Sequence, residues 1–146
     1  MKYLIDTNVL SELTKPNPDK DVVKWFIDTP DTNKFISVVS IGEIVHGIER
    51  LPNSHRKNKL SAWFNEIIFE GFNERILNIK TSTMQIWGKM MAELHRSFQV
   101  QDTFIAATAL ENNLIIATRN VKDFFGIAGL KILNPWENYG KEGIIE

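Results

Sequence analysis

The sequence contains no cysteine. That removes disulfides and thiolate zinc sites, and it makes a reducing cytoplasm the expected compartment. The histidines number three, His46, His55 and His95, and no two of them have the spacing of a zinc pair. A metal bound by this chain would therefore be a hard cation held by oxygen. No apolar run approaches the roughly 20 residues that span a bilayer, so no membrane association is expected. The opening Met1-Lys2-Tyr3-Leu4-Ile5-Asp6 does not read as a secretory leader, because an acid interrupts it before an apolar core develops. An excess of either charge is missing too. A net charge of −1 over 146 residues excludes a polycationic nucleic-acid coat. It leaves room for an enzyme with a local basic rim.

What is present is the composition of one globular domain, 43% hydrophobic and 24% charged. No repeat, low-complexity tract or linker divides it. Residues 1–137 read as the domain, and the Gly-rich, charged stretch 138–146 as a flexible tail. Short apolar runs at 2–5, 35–38, 75–79, 114–118 and 130–133 predict five strands. Between them lie helical patterns. One begins at Asn8 and ends before Pro16, and another covers 22–27. A third starts from Ser40, an N-cap candidate, with Ile41, Ile44, Val45 and Ile48 on one stripe. The segment 54–69 carries Leu60, Trp63, Phe64, Ile67 and Ile68. The long segment 81–98 places Met84, Trp87, Met91, Leu94 and Phe98 on its expected buried side. A last helix runs from Asp102 to the Asn112-Asn113 pair. Strands alternating with helices predict an α/β fold, with a mostly parallel sheet covered on both faces.

Acids and amides fall where strands end or helices begin. Asp6 follows the first strand, the place where open α/β sheets bind ligands, although Asp is also a favoured helix cap. Glu43 lies opposite the apolar stripe of its helix, where the helix dipole favours an acid; His46, Gly47 and Arg50 share its flank. Asp102 opens a helix rich in small residues, as a cap or as a ligand. Thr118, Arg119 and Asn120 follow the fourth strand, and Asp123 stands one helical turn beyond Asn120. Taken singly, each residue is explained by capping or by solvation.

Together they form a pattern. Leu4-Ile5-Asp6-Thr7-Asn8-Val9-Leu10, Ser40-Ile41-Gly42-Glu43-Ile44 with Gly47-Ile48, Asp102-Thr103-Phe104-Ile105-Ala106-Ala107-Thr108-Ala109, and Thr118-Arg119-Asn120-Val121-Lys122-Asp123-Phe124 resemble the PIN domain, in its VapC and FitB branch of bacterial toxins. The resemblance covers nearly the whole chain. It implies a five-stranded sheet in the order 3-2-1-4-5, with the active site above strands one and four. It also implies that Asp6, Glu43 and Asp102 bind Mg²⁺ or Mn²⁺, and that the activity is that of a metal-dependent endoribonuclease. A fourth acid usually follows the fourth strand in that family, and Asn120 is placed in its position here. Asp123 either supplies the missing carboxylate, directly or through a water, or caps or pairs locally beside Phe124 with one metal sufficing.

Clustered carboxylates suit this chemistry, because their mutual repulsion is relieved by a cation that activates water and polarises phosphate. Asp6 and Asp102 are then direct ligands, and Glu43 a ligand through water or a general base. Thr118 and Asn120 position a water or a phosphate oxygen. Asn8, Arg50 and Arg119 are candidate RNA contacts. The basic run His55-Arg56-Lys57-Asn58-Lys59 is either a solvated helix end or a rim for the RNA backbone. The resemblance further implies a toxin homodimer and a cognate antitoxin of the VapB or FitA kind. DNA would be reached only indirectly, through that antitoxin. The rival reading is a FitB-like subunit of a DNA-binding regulatory complex with little nuclease activity.

Overall fold

Strands buried on both faces have no polar side to show, and the sheet here is built from such runs. The computed structural model describes residues 1–137 and 143–146. Its strands are β1 (Tyr3–Ile5), β2 (Lys34–Ser37), β3 (Ile76–Leu77), β4 (Ile115–Ala117), β5 (Ile132–Leu133) and β6 (Ile144–Ile145). The helices are α1 (Thr7–Glu12), α2 (Lys20–Asp28), α3 (Val38–Glu49), α4 (His55–Trp63), α5 (Thr81–Glu93) and α6 (Val100–Asn112). The six strands lie in the order β3-β2-β1-β4-β5-β6. All pairings are parallel except β5 with β6. The expected five-strand order therefore holds. The sixth strand falls within the stretch read as a tail, because Ile144 and Ile145 cover the exposed edge of β5. Residues 138–142 of that stretch lie outside the described residues.

The sheet separates two apolar clusters. Ile5, Val9, Leu10, Val22, Ile36, Ile44, Ile48 and Ile68 pack on one side. Leu4, Met90, Ile105, Ala106, Ala109, Ile116 and Phe124 pack on the other. Successive residues of β1 thus point to opposite layers. Truncating a fully buried side chain such as Ile116 to alanine is expected to cost about 2–5 kcal/mol.

The expected helix 54–69 is α4 followed by a π-helical stretch, Phe64–Glu70, and helix boundaries differ at three further places, each for a local reason. Helix α3 starts earlier, because the Ser37 side chain accepts the Val39 N–H at 3.0 Å and caps it; Ser40 lies buried inside the helix. Helix α6 begins after Gln99, so Asp102 is the third helical residue rather than the cap. Helix α5 ends at Glu93, where Leu94 turns to an extended conformation. Its buried face keeps Trp87 but takes Thr83 and Met90 in place of Met84 and Met91, which are exposed. The reason is a polar lock onto α6. Glu111 accepts hydrogen bonds from Ser82 and Thr83, and the Trp87 indole N–H donates to Thr103 Oγ1 at 2.9 Å.

Candidate active site

The strand order reverses at β1, which has β2 on one side and β4 on the other. At such a switch point the two flanking connections leave in opposite directions and open a crevice at the strand ends. The register pairs Ile5 with Ala117, so the next residues, Asp6 and Thr118, emerge side by side. The Asp6 backbone N–H still donates to Ala117 O at 2.9 Å. The position of Asp6 is therefore fixed by the sheet itself.

Asp6 is 7% exposed, and a buried carboxylate needs donors. Oδ1 accepts the Thr7 N–H at 2.8 Å, the capping bond of α1. Oδ2 accepts from Thr118 Oγ1 at 2.8 Å and from Asn8 Nδ2 at 3.2 Å. Asp6 is thus both the helix cap and a member of an acid cluster. Burial nevertheless pushes its pKa up, against the Thr118 and Thr7 bonds, with the charges of Glu43 and Asp123 adding to the rise.

The other acids come from three different elements. Glu43, exposed on the first half of α3, accepts a 2.9 Å bond from Thr7 Oγ1. Asp102 sits half-buried in the first turn of α6. Its pKa is pushed up to about 6 by burial first, then by the negative charges of Asp6, Asp123 and Glu43. Carboxylates from four segments therefore meet here, and the charges of Glu43 and Asp123 act on both Asp6 and Asp102. Among the described residues, no three of them close into a ready-made metal cage. A cation that takes one or two carboxylates and keeps several waters, as Mg²⁺ does, needs no such cage. A donor set made only of oxygens, with a half-buried acid whose pKa is raised by burial first and by neighbouring acids second, is suited to a hard divalent cation.

Of the two readings of Asp123, a fourth acid or a local cap, the described residues show no bond for the second. Asp123 closes a one-turn 3-10 helix, Val121–Asp123, and its side chain makes no hydrogen bond or ion pair among the described residues. Its charge acts on both Asp6 and Asp102. Asn120, placed at the fourth acidic position by the sequence, begins that turn. Its backbone N–H donates to Thr118 Oγ1 at 3.0 Å, and its exposed side chain makes no bond to the acids.

Of the candidate RNA contacts, only Asn8 is hydrogen-bonded to an acid of this cluster among the described residues. Asn8 braces the site, donating to Asp6 and to Thr118 Oγ1 (3.1 Å) while accepting the Arg119 N–H at 3.2 Å. The Arg119 guanidinium lies 5.3 Å from the centre of the Trp136 ring, and its charge helps hold the Glu12 carboxyl below its usual range, after the Lys15 and Asp19 hydrogen bonds. Arg50 ends α3 and is exposed. The tryptophans pack largely inward: Trp25 is buried, and Trp63 and Trp87 are half-buried against the two clusters.

The model of the PIN domain family matches residues 3–129. The chain belongs to the PIN domain family. Within that family it groups with the VapC and FitB toxins. It is 32% identical over 138 residues to Toxin FitB of Neisseria gonorrhoeae, covering 92% of this chain and 99% of the relative. It is 30% identical to VapC ribonuclease Y4jK of Sinorhizobium fredii, covering 92% and 97%. The crystal structure of FitAcB from Neisseria gonorrhoeae superposes with a TM-score of 0.86 at 30% identity, over 92% of this chain and 99% of the other.

Proposed function

We propose that this PIN-domain toxin is an endoribonuclease that hydrolyses RNA phosphodiester bonds with the help of Mg²⁺, for which Mn²⁺ can substitute. The observation that carries this reading is the gathering at the β1–β4 switch point of Asp6 and Asp102, each acted on by the charges of Glu43 and Asp123, with no ion pair to Asp6 or Asp102 among the described residues. Asp6 and Asp102 would hold the cation, with Glu43 and Asp123 acting directly or through water. Bound there, Mg²⁺ would supply Lewis-acid activation of the attacking water and of the phosphoryl group. The residues of the chain perform the remaining tasks. Thr118 and Asn8 fix the Asp6 carboxylate in one orientation, so the site is organised before substrate arrives. Thr7 holds Glu43, which is exposed and free on one oxygen to accept a proton from water.

The same reading extends to partners and place. A cognate antitoxin of the VapB or FitA kind is the expected inhibitor, bringing a cation of its own to the carboxylates. DNA contact would then come through that antitoxin. A homodimer is supported by Met84 and Met91, which lie two turns apart on one face of α5 and are each 37% exposed. Among the described residues no helix is long and apolar enough to cross a membrane, and an RNA substrate favours the cytoplasm. Sequencing RNA ends after brief induced expression tests the function. Wild type should create new ends at discrete sites and Asp6→Ala should not. Identical end profiles for the two would remove the reading.

A further inference from the structure

A cleft leaves the acid cluster between α1, α3 and α4. Thr7 and Glu43 form its mouth, and Gly47, Arg56 and Trp63 line it farther along, with a volume of about 280 Å³. Three features of its lining go together. Arg56 is exposed and makes no hydrogen bond or ion pair among the described residues, whereas Lys15, also on the wall, is already paired with Glu12 at 2.8 Å. Thr7, Ser11 and Thr14 add hydroxyls along the α1 wall. Gly47 stands in the interior of α3, where glycine is less stable than alanine. A Cβ built on it would meet nothing within 4 Å, so no packing inside the chain calls for a glycine. The space above it is the cleft.

We infer that this cleft is the subsite for the RNA strand on one side of the scissile phosphate, with Arg56 binding a backbone phosphate and Gly47 clearing the floor for close approach. The inference rests on the ribonuclease reading and names where its substrate runs. A strand whose reacting phosphate lies at the carboxylates must leave them past one of the neighbouring walls. This wall offers an unpaired cation, hydroxyl donors and the apolar faces of Leu60 and Trp63 for sugar or base. The charge is of the sign that a polyanion requires. Glu43 is its one acid, and it stands at the end where the cation would sit.

The test uses fluorescent single-stranded RNA of mixed sequence and the full chain in Mg²⁺. Binding is followed by anisotropy in an Asp6→Asn background, and cleavage in the wild-type background. Arg56→Gln should weaken RNA binding about tenfold, the loss of one charge-assisted contact. It should also reduce the slope of log K against log salt by about 0.7, one phosphate fewer on a single strand. In cleavage, KM should carry that loss, with kcat nearly unchanged. Gly47→Leu should weaken binding as much without lowering the melting temperature, because it fills open space in a helix, and Gly47→Ala should fall between it and wild type. If wild type cleaves RNA but both variants bind with unchanged affinity and slope, the subsite is wrong and the ribonuclease reading stands. If the variants lose only the protein antitoxin and not RNA, the cleft belongs to that partner and the inference is overturned. If wild type neither cleaves nor binds RNA, the function and the subsite fall together.

Discussion

Thr118 Oγ1 donates a 2.8 Å hydrogen bond to Asp6 Oδ2 although 112 positions separate the two residues in sequence. The bond exists because β1 and β4 pair in register and both residues follow directly on the last paired position. It is one of the forces holding the Asp6 carboxyl down against the effect of burial. Replacing Thr118 by valine keeps the shape and removes the donor, so the Asp6 pKa should rise further. The acid limb of the pH–rate profile should then move to higher pH, and stability should fall by about 1–3 kcal/mol. Rate profiles and thermal melts of the two proteins check this; an unmoved acid limb would show that Asp6 does not need Thr118.

Asp102 gives a pH dependence of stability. Its folded pKa, about 6, stands above the ordinary aspartate value of 3.8, so the folded state binds its proton more tightly than the unfolded chain. The stability it contributes is complete below about 3.8 and is lost as pH rises through about 6. In EDTA at pH 7, Asp102→Asn should therefore melt higher than wild type. A gain of about 2–4 °C corresponds to roughly 1 kcal/mol in a chain of this size, a modest value that allows for solvent screening of a half-exposed group. At pH 4 the gain should vanish. Melting curves at both pH values decide it, and a mutant less stable at pH 7 would mean that Asp102 serves the fold.

Asp123 and Asn120 can be separated by substitution. Asp123→Ala should reduce cleavage by at least about tenfold and weaken the response to Mg²⁺, because it removes one of four charges on the cation. Asn120→Ala should reduce it far less, since the backbone of Asn120, not its side chain, engages Thr118. A metal titration of the cleavage rate, with circular dichroism to check the fold, compares them. Full activity in Asp123→Ala would return Asp123 to a spectator.

The exposed methionines of α5 predict an association surface. Met91→Lys places a charge where an apolar contact is expected, and in light scattering it should convert a dimer into a monomer without loss of helicity. A wild-type monomer at micromolar concentration would dispose of the dimer.

Much of the fold was legible because its strands carry apolar residues on both faces and stop at polar ones. Asp6 and Thr118 could be placed at strand ends for that reason. Two things were hidden. The buried face of α5 depends on Glu111 and Thr103, residues of another helix that pull Thr83 and Trp87 inward, and periodicity within α5 carries no trace of them. The role of Asp123 depends on how tightly the chain turns after β4. The sequence Asn120-Val121-Lys122-Asp123 fits a local cap equally well, and only the single 3-10 turn brings the acid back toward Asp6. The third helix start was missed because Ser37 and Ser40 are both plausible caps, and the end of β2 selects the first.

If the carboxylates act through a divalent cation, RNA cleavage by the purified chain across a metal titration is the measurement that shows it most directly. Cleavage should stop in EDTA and return with Mg²⁺ or Mn²⁺, while Asp102→Asn, still folded, should require far more metal or remain inactive. Cleavage that continues unchanged in EDTA would contradict the account.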